Sequence, residues 1–404
     1  MGSDRKKIHV INYLPHIYEL EDMINFCKSF QSIYIWGNGE IEQYLLKYLD
    51  MSGIKTEGFV VAREEELHGD FSSEYRNLPV VHFDEIQWTE EKGIIIGTSE
   101  KWYHRIIPFL RKHNFNNYFA ITEYNRMGIV GQMMPRERDE FTVEISLADH
   151  CNLSCQMCDH FSQLSCEWYP EHNQLCQDIK RLGELFEHEI AAISFLGGEP
   201  TLNENLLEYL KLARNEFPKA EIIILTNGIK LLEWEKHEKG NLWQVCKDYN
   251  IHIMITVYPI KIQYELIEKK AEQYGIVLEM SSNIHADELT KQVKISDKHT
   301  LDLEGKTEPF YSVNCLYFNK FTVLKEGRIY MCPMAAHINI FNEKFQQKLT
   351  VSEQDYIDIY KAESWKEITE FSSKCKPFCR YCDLKHWHHH SEWKASNKTI
   401  EEYV

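Results

Sequence analysis

The chain has 404 residues and a formal net charge of −17, and 43% of its residues are hydrophobic. This length allows two or three domains with substantial cores, since domains usually run to about 100 to 200 residues. The acidic balance, without a basic stripe, argues against nucleic acid or an anionic membrane surface as the partner. No apolar run approaches the roughly 20 residues of a membrane span, and MGSDRKK does not begin a signal peptide, so we expect a globular cytoplasmic protein.

Residues 30–125 alternate between strand-like and helix-like patterns. The runs SIYIWG, GFVVA, LPVVH and GIIIGT are β-branched, whereas GNGEIEQYLLKYLDMSG and WYHRIIPFLRKH have helical spacing. This alternation predicts an α/β domain over residues 1–125, with an open, largely parallel sheet of Rossmann-like type. The segment 126–140 carries two glycines, a proline and mixed charge, and we expect it to be a linker.

The first helix of this domain opens on a candidate phosphate-binding turn. Gly37 and Gly39 match a G-x-G-x-x-G pattern that follows a strand, where the amides of a helix start favour a phosphate. Glu42 replaces the third glycine, which leaves the use of a dinucleotide open. The segment resembles the Rossmann-like domains attached to sugar-modifying enzymes. That resemblance implies binding of a nucleotide sugar, and a docking or degenerate structural role is the alternative.

A second and more regular alternation runs from about residue 141 to 300. The strand-like runs are VEISLAD, AAISFLGGEP, EIIILTNG, IHIMITVYP and IVLEMS, separated by helical segments such as NENLLEYLKLARNEF and KIQYELIEKKAEQYG. Repeated β/α units predict a barrel or partial barrel whose functional residues lie at the carboxyl ends of its strands. After residue 300 the pattern predicts a β-hairpin with its turn at Glu326 and Gly327, then a helix over 355–372.

Twelve cysteines are present, and most of them cluster. Cys151, Cys155 and Cys158 form a C-x3-C-x2-C run directly after the first strand of the second alternation. A tetrahedral zinc site or a cubane iron–sulfur cluster takes four protein ligands, so three thiols leave one coordination position open. The remaining isolated cysteines are expected to be small buried hydrophobic side chains: Cys27, Cys166, Cys176 and Cys246.

The three cysteines, with GGEP after the next strand and TNG after the third, resemble the radical S-adenosylmethionine (SAM) superfamily. The resemblance implies a partial (β/α)6 barrel over 141–300. It also implies a [4Fe–4S] cluster on Cys151, Cys155 and Cys158, whose fourth iron binds SAM. The expected chemistry is reductive cleavage of SAM to a 5′-deoxyadenosyl radical, which removes a hydrogen atom from a substrate C–H bond.

The same resemblance assigns SAM contacts to the carboxyl ends of four strands. Two glycines allow close approach of the backbone to a ligand, and a carboxylate beside them can pair with the ammonium of SAM. A structural zinc loop is the alternative, and it leaves GGEP unexplained. The implied cofactor-binding residues are Met157, Gly197, Gly198, Glu199, Pro200, Thr226, Asn227, Thr256 and Tyr258.

The C-terminal cysteines resemble those of twitch and SPASM extensions, which carry auxiliary [4Fe–4S] clusters. Five cysteines are too few for a two-cluster SPASM domain, so a one-cluster twitch-type domain over 301–404 fits better. The implied ligands are Cys315, Cys332, Cys379 and Cys382, although zinc competes for the last pair. Cys375 is left over as an alternative ligand, a hydrogen donor or a nearby thiol.

These features together predict an enzyme with two [4Fe–4S] clusters and SAM as cofactors. The expected reaction is hydrogen abstraction from a sugar or aminocyclitol, with dehydrogenation or epimerisation as the result, supported by an electron donor such as flavodoxin or ferredoxin. One alternative is a radical SAM maturase of a ribosomally made peptide. Another is a non-catalytic protein that binds a metal and a nucleotide sugar.

Overall fold

The structure of the protein is a computed structural model. It describes residues 15–63, 78–281, 284–286, 293–295, 298–388 and 393–404. The chain forms two compact units. Unit 1 comprises residues up to 134 together with 308–318 and 373–375, and unit 2 comprises 135–307, 319–372 and 376–404.

Unit 1 is built on a five-stranded parallel sheet. In chain order its elements are α1 (Ile17–Lys28), β1 (Ser32–Trp36), α2 (Glu40–Met51), β2 (Thr56–Val61), β3 (Val80–His82), β4 (Lys92–Ile96), α3 (Tyr103–Lys112), β5 (Tyr118–Ala120) and α4 (Glu123–Met133). The strand order β3-β2-β1-β4-β5 places β1 at the centre, which confirms the Rossmann-like α/β prediction. Its central strands are buried and β-branched because helices cover a parallel sheet on both faces.

The segment expected to be a linker is partly helical. Thr122 caps α4 by accepting a hydrogen bond from the backbone of Asn125 at 3.3 Å, and the helix continues to Met133. The buried amine of Lys47 donates to the carbonyl of Met133 at 2.9 Å and to the hydroxyl of Ser373 at 2.8 Å. The two glycines misled the linker prediction, because a buried helix tolerates glycine at a modest cost.

Unit 2 contains the second alternation and most of the C-terminal region. Its elements are β6 (Thr142–Ser146), α5 (His172–Leu185), β7 (Ala192–Leu196), α6 (Leu206–Glu216), β8 (Glu221–Thr226), α7 (Leu242–Asp248), β9 (His252–Thr256), α8 (Tyr264–Tyr274), β10 (Leu278–Ser281), β11 (Ile284–Ala286), β12 (Val293–Ile295), β13 (Lys298–Leu301), β14 (Thr322–Lys325), β15 (Arg328–Tyr330), α9 (Pro333–Phe345), β16 (Tyr356–Asp358), α10 (Trp365–Ser372) and β17 (Cys382–His388).

The main sheet of unit 2 has the strand order β10-β9-β8-β7-β6-β14-β15-β16. All five strands predicted in the second alternation are present and pair in parallel. The sixth parallel strand is β14, which pairs with β6 and also forms the first arm of the predicted hairpin. The sheet is therefore an open partial barrel, and the carboxyl ends of β6 to β10 and β14 lie along one edge.

The hairpin is confirmed, but the helix predicted after it is too long. Glu326 and Gly327 have φ values of 50° and 70° and form the turn between β14 and β15. Residues 356–358, expected to be helical, form β16 and pair with β15. Tyr and Ile suit a strand, and the exposed edge of β15 offers backbone partners that sequence periodicity does not show. Only Trp365–Ser372 forms the expected helix.

The isolated cysteines differ in exposure, and the helices can be compared with a membrane span. Cys27 and Cys246 are buried as expected, whereas Cys166 is exposed and Cys176 is half-buried, so that prediction was wrong for the latter two. Among the described residues, no helix combines the length and the apolar character needed to cross a membrane.

Candidate functional site

The three-cysteine loop begins at the carboxyl end of β6 and is fixed to the neighbouring strand β7. The backbone amide of Gly198 donates to the carbonyl of Ala148 at 2.7 Å, and that of Glu199 donates to His150 at 3.2 Å. The approach of the two loops is so close that a Cβ atom on Gly198 would lie 1.8 Å from the His150 carbonyl oxygen. Glycine at this position is therefore a steric requirement of the loop that carries Cys151.

The thiols of Cys151, Cys155 and Cys158 are half-buried and unbridged. The sulfur of Cys151 accepts hydrogen bonds from the Leu153 amide at 3.3 Å and from Asn227 Nδ2 at 3.6 Å. Burial raises the pKa of the Cys151 thiol, and the nearby Glu199 and the other two cysteines raise it further. A half-buried loop of three thiols, of which the Cys151 sulfur accepts two N–H hydrogen bonds, suits thiolate ligands of an iron–sulfur cluster, because such donors stabilise charge on sulfur.

Glu199 links the ends of β7 and β8. Its Oε1 accepts hydrogen bonds from Thr201 and from the hydroxyl of Thr226 at 2.6 Å, and its Oε2 accepts one from the amide of Asn227 at 2.9 Å. Burial raises the pKa of Glu199, although these donors favour the carboxylate. Because a carboxylate oxygen can accept two hydrogen bonds, Oε2 keeps capacity for the ammonium group expected there.

The remaining residues predicted to contact SAM lie in the same part of unit 2. Met157 lies in the cysteine loop, is buried and has a φ of 53°. Pro200 opens a short 3₁₀ helix after Glu199. Thr256 ends β9, and Tyr258 follows it. Tyr258 interacts with all three cysteines and hydrogen-bonds Cys155, while burial raises its pKa.

A buried ionic network beside the loop escaped the sequence analysis. Lys325, the last residue of β14, donates to both carboxylate oxygens of Asp149 at 2.7 Å and lies 3.0 Å from His337 Nδ1. Burial lowers the pKa of His337 to about 3, so the ring is neutral. Burial opposes ionisation of Asp149, but bonds from His337 and Lys325 hold its pKa below the usual range. The partners are 176 residues apart, so no local pattern shows them.

The C-terminal segment also covers the cysteine loop. The amide of Gln156 donates to the carbonyl of Lys394, and the amide of Ser396 donates to Ser154, both at 3.0 Å. The side chain of Tyr403 is 2% exposed and its ring packs against Phe161. Two backbone bonds and a buried aromatic ring therefore hold residues 393–404 on the loop.

A cavity of about 390 Å³ opens at the carboxyl ends of β6 and β14. Trp168 forms part of its wall, and the Lys325 amine lies 4.7 Å from the centre of the Trp168 ring. The cavity adjoins the cysteine loop, because the Asp149 amide donates to the Trp168 carbonyl at 3.2 Å. Its carboxylates are Glu171, Asp178, Glu326 and Asp358.

The predicted auxiliary ligands are placed in the two units. Cys332, Cys379 and Cys382 belong to unit 2, where Cys332 precedes α9 and Cys382 begins β17. Cys315 and Cys375 belong to unit 1, and the Cys375 thiol lies 3.8 Å from the carbonyl of Pro309. The four-cysteine ligand set stays a prediction.

The candidate phosphate-binding turn of unit 1 holds a carboxylate of its own. Gly39 precedes the first residue of α2, and Glu42 in the first turn of that helix accepts a hydrogen bond from the Gly39 amide. A Cβ atom on Gly39 would lie 2.6 Å from Glu42 Oε2. Gly37, with a φ of 103°, lies against the same side chain. A phosphate at this turn would have to displace the Glu42 carboxylate, which already uses one of the amides that favour an anion.

Three thiols and the buried Glu199 therefore lie at the carboxyl edge of the parallel sheet, where they can hold a metal cluster. In a comparison with known protein families, residues 145–270 match the radical SAM superfamily. Residues 145–270 therefore form a radical SAM domain, and this match supports SAM and one [4Fe–4S] cluster as cofactors.

Similarity to individual proteins is confined to part of the chain. The 7,8-dihydro-6-hydroxymethylpterin dimethyltransferase of Methanocaldococcus jannaschii is 39% identical over 90 residues, which are 22% of this chain and 17% of that protein. GTP 3′,8-cyclase of Nautilia profundicola is 30% identical over 110 residues, 26% of this chain and 32% of that protein. The chain thus aligns with a third or less of these relatives.

Two solved structures resemble the chain weakly. BtrN in complex with AdoMet and 2-DOIA has a TM-score of 0.39 and 17% identity, covering 67% of this chain and 98% of that one. Native anSMEcpe with bound AdoMet has a TM-score of 0.27 and 19% identity, covering 34% of this chain and 42% of that one.

Proposed function

We propose that this radical SAM enzyme removes a hydrogen atom from a C–H bond of a sugar or aminocyclitol, leading to dehydrogenation or epimerisation. The observation that carries this proposal is the polar cavity beside the cysteine loop. Its volume of about 390 Å³ is in the range of small-molecule sites. Its position at the carboxyl edge of a parallel sheet is where α/β enzymes bind substrates.

The cavity wall suits a hydroxylated or amino-substituted ring. Trp168 lines the cavity, and its indole can pack against the C–H face of a ring. Glu171 and Asp358 can accept hydrogen bonds from hydroxyl or ammonium groups.

We assign the cluster to Cys151, Cys155 and Cys158, and the SAM contacts to Glu199, Asn227 and the residues predicted with them. When bound, the cluster and SAM supply the 5′-deoxyadenosyl radical that removes hydrogen from the substrate. The protein orients the reactants and excludes water. Asn227 donates toward Cys151, Glu199 holds the β8 loop, and residues 393–404 cover the cysteine loop.

We also propose a second [4Fe–4S] cluster on Cys315, Cys332, Cys379 and Cys382. The sequence spacing of these four cysteines supports it. An electron acceptor of this kind suits a dehydrogenation, whereas a hydrogen-donating thiol such as Cys375 suits an epimerisation. A flavodoxin or ferredoxin is the proposed electron donor.

The first test reconstitutes the protein without oxygen and measures iron and acid-labile sulfide per chain. 5′-Deoxyadenosine is then assayed with dithionite and SAM, in the presence of aminocyclitols, free sugars, nucleotide sugars or a peptide mixture. About eight irons per chain and nucleoside formation stimulated by one sugar or cyclitol are expected. Stimulation by peptide alone would favour a maturase, and a zinc-containing protein that does not cleave SAM would refute catalysis.

Matched variants separate the cluster from the cavity. Replacing Cys151, Cys155 and Cys158 together by Ala should remove about four irons and abolish SAM cleavage. Trp168→Ala should retain SAM cleavage without substrate and lose its stimulation by substrate. Trp102→Ala, an exposed tryptophan of unit 1, is the control. Equal stimulation in both tryptophan variants would contradict the assigned cavity.

A further inference from the structure

Three metal-ligating side chains converge between helices α5 and α6 of unit 2. His172 and Cys176 lie four residues apart on α5, so they share one helix face. Glu208 reaches them from the first turn of α6. One ligand atom from each lies within 4.8 Å of the other two.

The distances approach those of a tetrahedral zinc site. His172 Nε2 lies 3.2 Å from Glu208 Oε1 and 4.0 Å from Cys176 Sγ. Zinc at about 2.1 Å from nitrogen and oxygen and about 2.3 Å from sulfur would separate these pairs by about 3.4 Å and about 3.6 Å. The histidine–cysteine pair thus needs to close by about 0.4 Å, which a small side-chain rotation can supply. The Cys176 and Glu208 ligand atoms lie within 4.8 Å of each other.

The second ring nitrogen of His172, Nδ1, has a hydrogen-bond partner that orients the ring. His172 Nδ1 lies 3.1 Å from the hydroxyl of Tyr209, whose side chain is buried. A proton on Nδ1 that donates to this hydroxyl leaves Nε2 with its lone pair directed at Cys176 and Glu208. Histidines that bind metals commonly have such an outer partner, which fixes the ring and its tautomer. A purely electrostatic His–Glu contact requires neither this partner nor a thiol beside it.

We propose that His172, Cys176 and Glu208 form a zinc site that joins α5 to α6, with a water molecule as fourth ligand. A cysteine thiolate, a neutral imidazole and a carboxylate balance the charge of Zn²⁺, and binding releases one proton from the thiol. The site is distinct from the cysteine loop. The ion would also fix the start of α5, where Glu171 and Gln174 line the cavity.

To test this proposal, the reconstituted holoprotein is dialysed against Zn²⁺ with a competing chelator. Zinc and iron per chain are then measured by mass spectrometry. Wild type is expected to hold one zinc that Cys176→Ser and His172→Gln lack. Glu208→Gln, at an exposed position that does not threaten folding, is expected to lose most of its zinc to the chelator. Cys166→Ser, at an exposed cysteine outside the cluster, should match wild type.

Iron content and SAM cleavage, read on the same samples, should not change in any of these variants. X-ray absorption at the zinc edge should show one sulfur ligand with nitrogen and oxygen ligands. Equal zinc in wild type and in the Cys176 and Glu208 variants would overturn the proposal. So would a zinc shell of three or four sulfurs, because it would place the ion on the iron–sulfur cysteines.

Discussion

The close contact between Gly198 and the cysteine loop can be tested with one methyl group. In Gly198→Ala the new Cβ would lie 1.8 Å from the carbonyl oxygen of His150 and 2.9 Å from the amide nitrogen of Cys151. A carbon and a carbonyl oxygen need about 3.3 Å, so the two loops must separate by about 1.5 Å. Both atoms belong to backbone, and no side-chain rotation can relieve the clash.

This displacement exceeds what the expected cluster tolerates. Metal–ligand distances are fixed within about 0.2 Å, and the loop would move about seven times that amount beside Cys151. The separation would also weaken the bond from the Glu199 amide to His150. We therefore expect Gly198→Ala to hold fewer than half of the irons of the first cluster and to cleave SAM at least 10-fold more slowly.

The assay is iron and sulfide per chain after anaerobic reconstitution, followed by 5′-deoxyadenosine formation with dithionite and SAM. Gly275→Ala is the matched control. Gly275 ends α8 with a φ of 68°, and nothing lies within 4 Å of its added Cβ, so this variant carries backbone strain without a clash. Full iron content and a wild-type rate in Gly198→Ala would refute the steric reasoning.

Three further substitutions probe the surroundings of the site and the helix start of unit 1. Lys325→Met should leave the buried Asp149 carboxylate without its cationic partner and lower the free energy of unfolding by about 3 kcal/mol, measured with urea at pH 7.5. Recovery is expected when Asp149→Asn is added, and a single variant as stable as wild type would contradict the network. Tyr403→Ala removes a buried ring that packs on Phe161, so it should lower the free energy of unfolding in urea by about 3 kcal/mol. It should also speed the loss of cluster absorbance in air. An unchanged rate of absorbance loss would count against the covering role of the C-terminal segment. Burial raises the pKa of Glu42 in the folded protein above its ordinary value of about 4.3. The stability that protonated Glu42 contributes is therefore fully present below about pH 4.3, and it is lost as the pH rises through the folded-state pKa. Glu42→Gln should therefore gain stability relative to wild type between pH 4.5 and 7.5 in urea titrations, and a difference that does not vary with pH would refute this.

Local sequence patterns predicted the elements that carry the chemistry. Each run from VEISLAD to IVLEMS forms a strand, because β-branched residues in a short apolar run suit a covered parallel sheet. The glycines of GGEP lie where the backbone of one loop meets the backbone of another, as Gly198 shows. The hairpin turn at Glu326 and Gly327 could also be predicted from the sequence. Both residues have a positive φ, as this turn requires.

Contacts between distant segments were not predictable in this way. The bond from Lys325 to Asp149 joins positions 176 residues apart, and β16 forms because the edge of β15 needs a partner. Cys176 has an ordinary helical neighbourhood in sequence. The spacing of His172 and Cys176 was the one available signal, and the third member, Glu208, comes from another helix.

The sequence by itself determined the alternation of strands and helices, the cysteine spacing and the residues at the strand ends, because these depend on near neighbours along the chain. Tertiary structure alone decided which side chains meet. It placed the Glu42 carboxylate at the helix start expected to hold a phosphate, Lys325 at Asp149, and residues 393–404 on the cysteine loop. Burial and charge pairing depend on packing across the fold, and no short window of sequence contains both partners.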